Sequence, residues 1–242
     1  MRIGDRIHAR WARDGVGDRP PDVSLRSESR AWAQLGFASG VLAMVAYTIV
    51  SAVPLSPQLQ AVAVSIFGPG IAVASAGLYE VLRLHRSTVG LRIALVANIA
   101  AASTVTMMLF AQIAFKRWLE LQFPSGSAAT SSSAAYQAAN GLQLGFDVVW
   151  DLFFSIGTLL FAVAMWMHPR FGRVFALTGG VLAVLLLTLN LGTFPEPPEQ
   201  SGLVDVGPLV GLWYLAAAVR MRSSLPWVDR MASGSAPSAP RR

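Results

Sequence analysis

Residues 146–194 read FDVVWDLFFSIGTLLFAVAMWMHPRFGRVFALTGGVLAVLLLTLNLGTF. Two apolar runs, Phe146 to Met167 and Phe171 to Phe194, flank the short basic connection His168-Pro169-Arg170. A bilayer's hydrocarbon core is about 30 Å thick and takes roughly 20 apolar residues of helix to cross. Both runs reach that length, and the turn between them is too short for anything but an antiparallel helical pair. This hairpin sets the fold class: an all-α polytopic membrane bundle.

Working outward, four more runs of the same kind emerge. Ala31 to Val53, Gln60 to Leu84 and Val89 to Phe115 precede the hairpin, and Val206 to Met221 follows it. The second carries Gly68-Pro69-Gly70, which would stop a soluble helix but is tolerated in a membrane helix, with a kink expected. The sixth is the shortest; Pro208 suits its first turn and Asp205 can cap its start. The expected organisation is an Arg-rich tail over 1–30, poorly ordered to about Leu25, then a six-span domain over 31–222 and a disordered tail over 223–242. Ala31 to Val53 is longer than the apolar core of a signal peptide, so it reads as an uncleaved first span.

Composition agrees. The chain has 242 residues, 54% of them hydrophobic and 13% charged, with a mean hydropathy of +0.51; a soluble domain carries about 25% charged residues. The formal charge is +6 and the pI about 10.7. Seventeen of the nineteen basic residues fall on one side of the predicted topology. They occupy the N-terminal tail, the connections holding Arg83, Arg86 and Arg92 and then Arg170 and Arg173, and the C-terminal tail. The other side has only Lys116 and Arg117. The positive-inside rule therefore places both termini in the cytoplasm. The expected acidic partner is the anionic inner leaflet of a bacterial inner membrane rather than nucleic acid. Cysteine is absent, which excludes disulfides, thiolate metal sites and cysteine nucleophiles.

Close helix packing in lipid relies on small residues. Gly36-xxx-Gly40, Gly207-xxx-Gly211 and Gly179-Gly180 are the expected contact faces, within one chain rather than between chains.

Charged residues inside a bilayer cost about 2.5–3.5 kcal/mol on insertion scales, so each needs a partner or a task. Asp147 and Asp151 stand one turn apart on one face of the fourth span, near its outer end. Lys116 and Arg117 end the third span at the same depth, and a structural ion pair with one of those aspartates is expected. The plainer reading leaves both aspartates in the first turns of their helix, eased by its dipole and by water. Trp150, Gln112, Gln143, Asn190 and Asp205 lie at the same level, and with Asp147 and Asp151 they define a candidate ligand-binding pocket facing outward. Asn98 lies apart, nearer the inner half. Glu80 and Arg83 are spaced for an i, i+3 salt bridge at the inner interface. His8, His85 and His168 lack the spacing of metal ligands, so no metal, cofactor or catalytic residue is expected.

No phosphate-binding glycine loop, Gly-x-Ser-x-Gly elbow or His-Glu-x-x-His is present. Asp147-x-x-x-Asp151 lacks the Asp-x-x-Asp-Gly half that would make it the motif of membrane alcohol phosphotransferases, and no span has a central lysine for retinal. Asp147-Val-Val-Trp-Asp151, His168-Pro-Arg-Phe-Gly172-Arg, Leu189-Asn-Leu-Gly-Thr-Phe-Pro195, Asp205-Val-Gly-Pro208 and Gly211-Leu-Trp-Tyr214 resemble a group of uncharacterised bacterial multi-span membrane proteins. That resemblance covers the C-terminal half and implies a membrane protein without implying an activity.

Three functions follow from the residues. The first is a protein that binds or transports a small molecule or ion, with two inverted three-helix halves whose glycine-interrupted spans correspond. The second is an assembly or regulatory protein working through protein partners. The third is an enzyme using Asp147 and Asp151 on a lipid, which would need a water-reachable carboxyl of raised pKa.

Overall fold

The computed structural model describes residues 23–122, 134–196 and 201–232. Within them are seven helices and no strand. They are α1 (Val23–Ala52), α2 (Pro57–Arg83), α3 (Val89–Gln122), α4 (Ala134–Met165), α5 (Gly172–Thr193), α6 (Gly207–Ser223) and α7 (Leu225–Ala232). The first five are long and apolar enough to cross a membrane. Their outer surfaces carry exposed aliphatic side chains such as Leu42, Val96, Val163 and Val181. In water such a surface would aggregate; in a bilayer it is the lipid-facing surface of a membrane protein.

Neighbouring helices pack in chain order from α1 to α6, and α6 then closes the bundle by packing on α1 and α2 as well as α5. Glycines set the spacing. A Cβ on Gly77 of α2 would stand 2.7 Å from the Cα of Gly36 on α1 and 2.7 Å from the carbonyl of Trp32, so α1 and α2 touch backbone to backbone. A Cβ on Gly40 would meet the side chain of Ala218 on α6 at 2.9 Å. The Gly36-xxx-Gly40 face thus packs within the chain, as expected. Gly211 faces Met44, and Gly179 faces the ring of Trp213, whose Nε1 donates to the carbonyl of Phe175 (3.1 Å). Gly68-Pro69-Gly70 does not end α2. Gly68 makes room for Thr106 of α3, and Gly70 makes room for Ala43 of α1.

Several helices overrun their apolar runs. α1 starts at Val23 rather than Ala31, α3 continues to Gln122, and α4 starts at Ala134, three turns before Phe146. Hydropathy reads the length buried in lipid, whereas a helix continues through polar turns wherever its backbone stays paired.

A second correction concerns the tail expected to be disordered over 223–242. Residues 225–232 form α7, which buries Leu225, Trp227 and Val228 against the bundle and packs on α1 and α6. Ser224 opens it, with its carbonyl accepting from the amides of Trp227 and Val228. Three apolar side chains on one face give this helix enough surface to bury, which a tally of Ser, Pro and Arg overlooks. Arg30 of α1 donates to Asp229 of α7. The expectations for 1–22 and for 233–242 lie outside the described residues, as do residues 123–133 between α3 and α4.

At the same end of the bundle, His168 is buried in the α4–α5 connection. Its Nδ1 accepts from the Arg170 amide (3.2 Å), and its ring packs edge-on against His85 and Trp227. Arg170 donates to the carbonyl of Ser223, and Arg220 donates to the carbonyl of Arg170. Glu80 and Arg83 form the expected i, i+3 salt bridge nearby.

Candidate functional site

A cavity of about 450 Å³ opens at the opposite end, between α1, α2, α4, α5 and α6. Its volume is that of a small-molecule site. α4 supplies Asn140, Gln143, Asp147, Trp150, Asp151 and Phe154. These positions recur at three- and four-residue intervals and so lie along one face of the helix. α5 adds Leu186 and Asn190, and α6 adds Gly207, Pro208, Gly211 and Tyr214, with Asp205 just ahead of it. The remaining wall comes from Met44, Tyr47, Phe67 and Ile71 of α1 and α2.

Six of the residues expected at the pocket therefore meet in one cavity: Gln143, Asp147, Trp150, Asp151, Asn190 and Asp205. Gln112 does not join them. It lines a second cavity of about 270 Å³ between α1, α2, α3 and α4. Tyr47, Phe67, Gln143 and Trp150 border both cavities and form the partition. Gln112 is set apart because α3, packed on α2 and α4, contributes nothing to the first cavity.

The expected ion pair takes a different form. Arg117 pairs with Glu120 on its own helix (3.2 Å), and Lys116 is exposed. Neither lines the cavity. Both side chains lie where α3 has run on past the bilayer-length segment, so water and Glu120 serve them at less cost than a partly buried aspartate would.

The carboxylates form a gradient of burial. Asp205 is exposed, and its Oδ1 accepts from the amide of Gly207 at the start of α6 (2.7 Å). Asp147 is half-buried, and Asp151, one turn deeper, is only 4% exposed. Among the described residues Asp151 has no hydrogen bond and no ion pair, and no Lys, Arg or His lines the cavity. Asn190 is buried, and its amide donates to the carbonyl of Leu186 (3.0 Å), leaving its carbonyl oxygen as an acceptor.

Beneath the cavity lies a polar network that the sequence did not disclose. Tyr214 Oη donates to Asn98 Oδ1 (2.7 Å) and lies 3.0 Å from Thr158 Oγ1. Asn98 and Thr158 are fully buried, and each also donates to a carbonyl one turn back on its own helix. The tyrosine proton goes to Asn98, because that oxygen only accepts. The Thr158 proton is then shared between Phe154 and Tyr214. Asn98 so joins the base of the site rather than standing apart from it. Gly157 makes room for its amide, since a Cβ there would lie 2.1 Å from Nδ2.

Aromatic rings complete the walls. Trp150, Phe154 and Tyr214 stack in sequence with centroids 5.7 and 4.8 Å apart, and Tyr47 stacks on Phe67 at 5.4 Å. Tyr47, Tyr214 and Asn140 were missed in the sequence. A tyrosine inside a span is a usable signal, because its hydroxyl needs a partner. Asn140 had none, since its stretch reads as a loop. Among the described residues no three His, Asp or Glu side chains are placed to hold a metal ion. Comparison with protein families, with curated proteins and with solved structures finds no match to this chain.

Proposed function

We propose that this chain is a six-span protein of a bacterial inner membrane, with both termini cytoplasmic, that binds or transports a small molecule or ion through a cavity open to the outer face. The observation that carries this reading is Asp151. Asp151 is only 4% exposed, has no hydrogen bond or ion pair among the described residues and borders the cavity, so a ligand there would supply the partner that a buried polar group calls for. The plainer reading, with both aspartates in the first turns of their helix, does not hold, because α4 begins at Ala134 and its dipole eases charges only within the first turn.

The sixth crossing is supported by the chain ends. α6 has 17 residues and spans about 25 Å, short for a bilayer on its own. The Arg30–Asp229 pair nevertheless brings the start of α1 beside α7, which an odd number of crossings would forbid. The basic residues Arg83, Arg170 and Arg220 gather at that same end, as the inner face requires.

The test is thermal stability of the detergent-purified chain against inorganic ions, organic cations and neutral metabolites, with Asp151→Asn in parallel. A ligand that stabilises the wild type and leaves the variant unmoved supports the reading, with about 2.7 kcal/mol of stabilisation at a hundredfold excess over Kd. If no ligand shifts either protein and the variant only melts earlier, the aspartate holds the bundle together. The function then lies with protein partners.

A further inference from the structure

We infer that the cavity binds an organic ammonium ion, a cation with an apolar skin, rather than a metal ion or an anion. This rests on the cavity being a binding site and names its ligand class.

The charge of the site excludes an anion. Asp147, Asp151 and Asp205 line one cavity, and among the described residues no basic side chain shares its wall. Asp151 turns this from an acidic cluster into a site, because the residue is 4% exposed, has no hydrogen bond or ion pair among the described residues and lines the cavity. Removing one carboxylate from water without a counter-charge is unfavourable, and a cation seated in the cavity would supply that counter-charge.

The arrangement also disfavours a bare metal ion. Calcium and magnesium need several oxygens converging within about 2.0–2.6 Å of one point. Here the carboxylates are spread from the exposed Asp205 to the buried Asp151, and among the described residues no trio converges on a metal. A cavity of about 450 Å³ is also far larger than an ion requires.

The remaining walls are aromatic. Trp150, Phe154 and Tyr214 form one stack, and Tyr47 with Phe67 another. Ring faces attract cations and offer apolar contact together, and this is how proteins recognise quaternary ammonium groups. An ammonium ion carrying alkyl groups satisfies both demands: its charge offsets Asp151, and its methyl or methylene surface covers the rings. A soluble ammonium compound and a lipid headgroup share this chemistry. The soluble form fits better, because a phospholipid would bring its phosphate into a wall that has three carboxylates and, among the described residues, no basic one.

The experiment is equilibrium binding of labelled choline to the full chain in phospholipid-free detergent. Competitors are its neutral isostere 3,3-dimethylbutan-1-ol, sodium, calcium and a short-chain phosphatidylcholine. The expected result is saturable choline binding that the alcohol does not displace. Asp151→Asn should weaken it by about tenfold, and Tyr47→Leu by about threefold, with Tyr47→Phe near wild type. The alcohol comparison uses wild type, so it holds even if Asp151→Asn fails to fold.

Equal competition by the alcohol would overturn the ammonium assignment and leave the cavity as an apolar small-molecule site. Saturable binding of sodium or calcium without choline would overturn it in favour of an inorganic ion. Tighter binding of the phosphatidylcholine would support the ammonium and overturn its assignment to a soluble compound. Binding by none of the probes would overturn this assignment, and if the wider ligand panel also fails, the binding function falls with it.

Discussion

Single side chains decide how the cavity is supported. Tyr214 is the central group: its hydroxyl serves Asn98 and touches Thr158, and its ring stacks on Phe154 at the cavity wall. Tyr214→Phe keeps the ring and leaves the Asn98 carbonyl without its donor. Hydrogen bonds between membrane helices average about 0.6 kcal/mol and reach about 1.7. A fully buried network belongs near the upper figure, so a loss of about 1–2 kcal/mol is expected in a reversible detergent unfolding titration. Asn98→Leu combined with Tyr214→Phe should lose less than the two single changes summed, because the pair shares one bond.

His168 gives a second residue-scale prediction. Burial first, then nearby His85 and Arg170, hold its pKa down to about 4 from 6.5, against an upward pull from the Val81 backbone. The unfolded chain therefore takes up a proton that the folded chain refuses between those values. Stability from this residue is complete above pH 6.5, falls as pH drops towards 4, and loses nothing more below it. The full shift corresponds to at most about 3.4 kcal/mol. His168→Phe keeps an aromatic ring beside Trp227 and removes the titration. The unfolding midpoint of the variant should then vary less between pH 7 and 4; an unchanged slope would assign the pH dependence elsewhere.

At the scale of elements, helix spacing rests on a few glycines rather than on all of them. Gly77→Ala would place a methyl against backbone atoms of Gly36 and Trp32, which have no flexible end to swing aside. Overpacking of this kind costs about 1–3 kcal/mol. Gly180→Ala would meet only the tip of Leu159 at 3.9 Å and should be neutral or slightly stabilising. Melting temperatures of the two variants separate these cases. α7 shows the same economy: eight residues stay helical because one face is buried, with the Arg30–Asp229 pair at its exposed edge adding little.

For the whole molecule, the number of crossings fixes which end of the bundle meets which side of the membrane. The chain has no native cysteine, so single cysteines report topology without background. Ser201→Cys, ahead of α6, and Ser223→Cys, at its end, should react with a membrane-impermeant maleimide from opposite faces. Ser201→Cys should label from outside intact cells, and Ser223→Cys only after permeabilisation. Labelling of both from one face would show that α6 does not cross, and would move the cavity's supposed outer mouth with it.

Much of this organisation was written in composition and spacing. Apolar runs of bilayer length identify the membrane helices because lipid leaves a helix no other way to satisfy its backbone. The i, i+4 spacing of Asp147 and Asp151 puts both on one face, as helical geometry requires. The Glu80–Arg83 pair was legible for the same local reason. Where each helix ends was not, because polar turns of a helix carry no hydropathy signal: α4 begins at Ala134 within a stretch that reads as loop, and Asn140 comes with it. Nor could one dimension tell which polar residues share a cavity. Gln112 and Asn190 look alike at equal depth, yet the packing of α3 on α2 and α4 sends one to a separate space, while α5 brings the other to the aspartates. Asn98, Thr158 and Tyr214 lie on three helices, and only the closure of α6 across the bundle brings them into one hydrogen-bonded group. Periodicity fixes what each helix offers its neighbours, and the tertiary packing of six helices decides which offers meet.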